Sequence, residues 1–130
     1  MVTLGIDTSN YTTSAAVFNG LEGKNASRLL DVRPGELGLR QSEALFQHIK
    51  RLPGQLEQLR AAGWLKEIEA VGISTRPRAV EGSYMPCFLA GESVGSSIAQ
   101  ALGVPVYAVS HQQGHIAAAA WSAGGLELLD

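Results

Sequence analysis

The apolar residues of this chain first change their period at Pro34-Gly35, and that change constrains the fold more than any other feature of the sequence. Before it, Val2–Asp7 (VTLGID) and Ser14–Phe18 (SAAVF) are short apolar runs around the turn-forming TSNYT, which predicts a hairpin. Asn-Gly within Asn19–Asn25 (NGLEGKN) predicts a second turn, leading into a third strand around Ser27–Val32. After it, Leu45, Ile49, Leu52, Leu56 and Leu59 recur at 4-3-4-3 spacing, one face of a helix from about Arg40 to Ala62. Pro53-Gly54 falls inside that helix and predicts a kink, or two abutting helices that share one packing face. Gly63 supplies the stop, and Glu69–Thr75 (EAVGIST) reads as a buried fourth strand. A loop, Arg76–Pro86, leads to helical spacing over Cys87–Leu102 with Gly91 and Gly95 on one face. Gly103 caps that helix, Val104–Ser110 (VPVYAVS) is a fifth strand, and an alanine-rich helix is expected from His111 to about Ser122.

The resulting order, β-β-β-α-β-α-β-α, describes an α/β fold. Three antiparallel strands followed by two parallel crossovers build a mixed five-stranded sheet with helices on both faces. This is the ribonuclease H-like layout, the unit that actin-like ATPases use twice. A chain of 130 residues, 45% hydrophobic, suits a single domain spanning residues 1–130. Ten Lys and Arg against 12 Asp and Glu leave a formal charge of −2, so there is no basic field for a phosphate backbone. The single cysteine, Cys87, excludes an intrachain disulfide, and no apolar run approaches the ~20 residues that span a bilayer. A cytoplasmic protein without membrane contact is the expectation.

Three groups of residues could carry chemistry. Asp7, Ser9, Asn10, Thr12 and Thr13 surround the first hairpin tip, where hydroxyls and backbone N–H groups suit phosphate oxygens and a carboxylate could hold a metal-bound water. The same residue types also stabilise an ordinary turn. Arg76 and Arg78 flank Pro77, so two guanidinium groups on a rigid tripeptide could clamp a carboxylate or phosphate; a salt bridge to Glu81 or Glu92 is the plainer alternative. His111 and His115 are four residues apart at the expected start of a helix, a spacing that lets both imidazoles approach one ion. Position 112 is Gln, which lacks the general-base carboxylate of an H-E-x-x-H protease. His48 lies beside the apolar stripe of the first helix and reads as a boundary residue without a role, and Cys87 reads as a small core residue.

GIDTSNYTTSAAV, the glycine-bearing helix and SHQQGHIAAA, taken in that order, resemble the N-terminal half of the tRNA threonylcarbamoyladenosine modification family, long labelled O-sialoglycoprotein endopeptidase or glycoprotease. The resemblance implies the first of two actin-like halves of an enzyme that transfers a threonylcarbamoyl group from its ATP-derived adenylate to adenosine in tRNA. It also implies a divalent metal, iron or zinc, bound by His111 and His115 and by an aspartate of the second half. Gln113 replaces the glutamate of the family's H-x-E-G-H motif, and Arg76-Pro77-Arg78 replaces its G-P-G segment, which marks a divergent branch. In the fragment alone, metal binding by two histidines is expected to be weak, and tRNA would be engaged only through the complete protein.

Two other functions fit the residues. One is a non-catalytic domain that forms a homodimer or pairs with an actin-like partner through the small-residue faces of its last two helices. The other is the O-sialoglycoprotein metalloendopeptidase of the older label.

Overall fold

The computed structural model describes residues 2–9, 12–32, 41–76 and 86–110. Strands β1 (Val2–Ser9), β2 (Thr12–Phe18) and β3 (Gly23–Leu29) precede helix α1 (Gln41–Ala61) and strand β4 (Ile68–Arg76). A 3-10 turn, Pro86–Phe88, runs into helix α2 (Leu89–Leu102), and strand β5 (Val106–Ser110) follows. The sheet order is β3-β2-β1-β4-β5. β1, β2 and β3 pair antiparallel, while β4 and β5 are parallel to β1, as the period change predicts. The expected helix from His111 lies outside the described residues. No described helix is long and apolar enough to cross a membrane.

Strand alternation fixes which side of the sheet receives the helices. Leu4, Ile6, Ala15, Val17, Val71 and Ile73 form one buried cluster with Leu52 and Leu59 of α1 and Ala90 and Ala99 of α2. Both described helices therefore lie on the same face. Burying such side chains stabilises by about 1.5–3 kcal/mol for each large one. The spacing of Gly91 and Gly95 has a direct physical cause. A Cβ on Gly91 would stand 3.1 Å from Thr8 Oγ1, and one on Gly95 would overlap the Cγ2 methyl of Ile73. The small face of α2 is consumed by contact with β1 and β4, which corrects the expectation that it serves a partner.

α1 is one continuous helix through Pro53, so of the two expected alternatives the pair of abutting helices is set aside, while its packing face departs from the expected stripe. Pro53 is exposed, and the buried Leu52, Gln55 and Leu59 hold the helix to the sheet on either side of it. The buried row is Ala44, His48, Leu52, Gln55 and Leu59, whereas Ile49 is 52% exposed. The packing face is thus rotated from the apolar stripe, with Leu45 and Leu56 at its flank. Polar anchors on the solvent side fix this rotation. Arg51 Nη2 meets Asp31 Oδ2 at 2.6 Å and Arg51 Nη1 donates to the Leu29 carbonyl at 2.6 Å. Gln47 accepts the Asp31 amide and donates to the Asp31 carbonyl, at 2.9 and 3.0 Å.

The turns account for the remaining shifts in boundaries. Asn19 Oδ1 accepts the amides of Leu21 and Glu22 at 2.9 and 2.8 Å, closing a turn with Gly20 at φ 98°. β3 consequently begins at Gly23, four residues before its predicted start at Ser27. After α2, Gly103 adopts φ 68°, and the Val104 amide donates to the Ala99 carbonyl at 3.0 Å, the left-handed cap expected there.

Candidate functional site

β1, β4 and β5 run parallel, so their last residues, Ser9, Arg76 and Ser110, lie toward one end of the sheet. Arg76 is the register partner of Ser110, and His111 follows directly in sequence. This is the carboxyl end of the parallel strands, where open α/β sheets receive ligands. His111, His115, Asn10 and Arg78 lie outside the described residues, as do Gln112 and Gln113. Among the described residues, no group of three or more His, Cys, Asp or Glu could hold a metal ion.

The hydroxyl-rich segment is not a loose tip. β1 extends through Ser9 and β2 starts at Thr12, so Asp7, Ser9, Thr12 and Thr13 all belong to paired strands. Asp7 pairs with Ser14, Thr8 with Thr13, and Ser9 with Thr12. The strand alternation then divides them. Asp7 is half-buried on the face away from α1 and α2, and Ser14, its partner, belongs to a polar cluster on that face. Ser14 Oγ lies 2.8 Å from Ser27 Oγ and donates to Asn25 Oδ1 at 3.0 Å.

Thr8 and Thr13 face the helices. Both are fully buried. Thr8 Oγ1 donates to the Cys87 carbonyl at 2.9 Å and accepts the Gly91 amide at 3.1 Å. Thr13 Oγ1 pairs with His48 Nδ1 at 2.7 Å. This corrects the placement of Thr13 at an open tip, since a buried hydroxyl engaged with a helix cannot reach a ligand without breaking that contact. It also corrects the reading of His48, which is 0% exposed. Cys87 is buried with Leu30, Ala44 and Phe88, as a small core residue. Strand parity was the missed signal: Thr8 continues the inward series Leu4-Ile6, and Thr13 begins the inward series Thr13-Ala15-Val17.

No family model matches the chain. A tRNA N6-adenosine threonylcarbamoyltransferase of Rhizobium leguminosarum bv. trifolii is 34% identical over 121 residues, covering 86% of this chain and 32% of the relative. The enzyme of the same name from Aromatoleum aromaticum is 32% identical, over 89% of this chain and 34% of its own. The chain thus spans about a third of the length of the curated relatives it matches. Among solved structures, YeaZ from Pseudomonas aeruginosa superposes with a TM-score of 0.60 at 23% identity, over 84% of this chain and 42% of that one. Thermus thermophilus RuvC, solved in complex with a Holliday junction substrate, gives 0.50 at 23% identity, over 100% of this chain and 81% of that one. These likenesses identify the fold as ribonuclease H-like, the actin-like ATPase layout.

Proposed function

We propose that this chain, a divergent relative of the glycoprotease-like tRNA threonylcarbamoyladenosine modification enzymes, is the first of two actin-like domains of a protein of that kind. Its parent transfers a threonylcarbamoyl group from an ATP-derived adenylate to adenosine in tRNA. The observation that carries this reading is the 34% identity to a curated threonylcarbamoyltransferase over 86% of the chain. The second domain is its obligatory partner, and tRNA is met by the assembled protein. A cytoplasmic location goes with that substrate.

The residues divide the work by position. His111 and His115, directly after β5, hold a divalent metal with an aspartate of the second half. Two neutral imidazoles at i and i+4 in the sequence suit iron or zinc, and they follow in sequence the end of β5, which lies at the same end of the sheet as the ends of β1 and β4. When bound, the ion supplies Lewis-acid stabilisation of substrate oxygens. Ser9, Asn10 and Thr12 receive the phosphate oxygens of the nucleotide through side-chain and backbone donors, while the Asp7 carboxylate, which only accepts, orients a water. Arg76 and Arg78 neutralise the carboxylate or phosphate of the acyl-adenylate.

The test is calorimetry and metal analysis on the full-length parent, followed by transfer to unmodified tRNA. Binding of ATP, with metal lost in His111→Ala and His115→Ala, is expected. A parent chain that takes up neither ATP nor metal refutes the reading.

A second reading, a non-catalytic actin-like domain that dimerises or captures an actin-like partner, draws on one observation. Phe46 and Ile49 stand 55% and 52% exposed one turn apart on α1. Light scattering separates the two, because this reading requires a stable complex that survives loss of both histidines.

A further inference from the structure

Thr8 and Thr13 stand directly opposite each other in the β1–β2 ladder, one pair in from Ser9 and Thr12. Each sends its hydroxyl to a different helix. Thr8 reaches the start of α2 through the Cys87 carbonyl and the Gly91 amide, residues 79 and 83 positions away. Thr13 reaches the middle of α1 through His48 Nδ1, 35 positions away. All three side chains are fully buried.

Strand pairing alone does not call for these hydroxyls. The ladder is satisfied by backbone groups, and valine has the shape and the strand preference to fill either threonine's place. A buried imidazole is likewise a costly way to fill a core position that Leu would occupy on its own. The hydroxyls add directional contacts between the end of the hairpin and both helices. Gly91 is part of the same arrangement, because a Cβ there would stand 3.1 Å from Thr8 Oγ1 and 3.2 Å from Ile6 Cγ2. The same two strand ends carry Asp7, Ser9 and Thr12.

We propose that His48, Thr13 and Thr8 are positioning residues that lock the end of the β1–β2 hairpin between α1 and α2, and so hold Asp7, Ser9 and Thr12 in place for the phosphates of a nucleotide. The nucleotide in this statement rests on the function proposed above; the lock itself does not. Preorganisation is the physical gain, since donors displaced by a fraction of an ångström lose much of a phosphate contact. Opening the lock costs affinity without removing any group that touches the ligand.

The experiment compares Thr13→Val, which keeps shape and loses the hydroxyl, with Thr13→Ser, which keeps the hydroxyl. Leu59→Ala, at a fully buried site near the other end of α1, serves as a destabilised reference. On the full-length protein, well below every melting temperature, ATP affinity is measured by calorimetry and amide exchange is followed over Asp7–Thr13. Thr13→Val is expected to bind ATP more weakly, by up to about tenfold where ordering the hairpin on binding repays the whole of the lost hydrogen bond, and to exchange faster over that segment. Thr13→Ser should match the wild type in both, and Leu59→Ala should match it in affinity and in exchange taken relative to its own global stability. Should Thr13→Val fail to fold, His48→Asn and His48→Leu make the same comparison from the other partner, with Asn retaining a polar group at the Nδ1 position. Exchange in Thr13→Val equal, relative to global stability, to that in Leu59→Ala overturns the lock. Faster exchange with unchanged ATP affinity overturns the positioning role and leaves only a contribution to stability. A wild-type protein that binds no ATP refutes the nucleotide reading and with it the positioning role, and the exchange comparison then decides whether the lock exists.

Discussion

Replacing Gly95 by alanine sets two effects against each other, and the structure decides which wins. Alanine is the better helix former by about 1 kcal/mol in a helix interior. Gly95, however, is buried where α2 crosses the sheet, and a Cβ there overlaps the Cγ2 methyl of Ile73, with Val71 Cγ1 at 3.5 Å and Ile6 Cδ1 at 3.7 Å. Ile73 is only 3% exposed and β-branched in a central strand, so its methyl has no solvent to swing into. Overpacking of this kind costs about 1–3 kcal/mol, and overlap with a methyl that cannot swing away belongs at the upper end, about 2–3 kcal/mol, more than the helix preference returns.

Gly95→Ala is therefore expected to destabilise by about 1–2 kcal/mol net, a melting temperature lower by about 5 °C. Gly54, in the exposed part of α1 with nothing within 4 Å of an added Cβ, supplies the opposite case. Gly54→Ala should stabilise by about 0.5–1 kcal/mol. Urea unfolding of both variants measures the pair. Combining Gly95→Ala with Ile73→Ala tests the cause, since truncating Ile73 should cost less in the alanine background than in the wild type. Gly95→Ala as stable as the wild type, or a double substitution that is simply additive, would refute overpacking against Ile73 as the cause.

Thr8→Val removes a buried donor and acceptor at once, leaving the Gly91 amide and the Cys87 carbonyl without that partner; a loss of about 2–3 kcal/mol in urea unfolding is expected. Gln55 is 3% exposed and its Nε2 has no partner among the described residues, so Gln55→Met should be neutral or stabilising by about 1 kcal/mol. Asp31→Asn should cost less than about 1 kcal/mol, because the Asp31 side chain is 79% exposed and the ion pair is screened, and the cost should shrink further at high salt.

The order of elements and the hand-over from antiparallel to parallel pairing were legible because they depend on period and on glycine, both local properties. Gly91 and Gly95 could be read as a close-approach face for the same reason, but not what they approach. Two partners of equal size, the sheet and a foreign helix, make the same demand on the sequence. The rotation of α1 was hidden for a different reason. Its buried row admits His48 and Gln55 and leaves Ile49 outside, and the choice rests on contacts with Asp31, Leu29 and Thr13, which are distant in sequence. The length of the first hairpin was misjudged because Thr, Ser and Asp serve turns and strands alike. Only the ladder through Ser9 and Thr12 separates the two uses.

That longer hairpin changes how its polar residues compare with one another. In a loose tip, five neighbouring polar side chains are interchangeable; in a ladder, neighbours point to opposite faces. Thr12 and Thr13 are adjacent in sequence, yet Thr12 is half-buried while Thr13 is fully buried against α1. Substitution should separate them. Thr12→Ala is expected to weaken ATP binding by the full-length protein with under about 0.5 kcal/mol of stability lost, as befits a residue outside the core. Thr13→Ala, which removes a buried methyl and leaves His48 Nδ1 without its hydroxyl, should cost about 2–3 kcal/mol. Paired unfolding and binding measurements on the two variants decide the matter. Equal stability losses would contradict the alternation of the ladder, and a Thr12→Ala variant with wild-type ATP affinity would remove Thr12 from the phosphate site while leaving Asp7, on the same face of the sheet, to be tested in its turn.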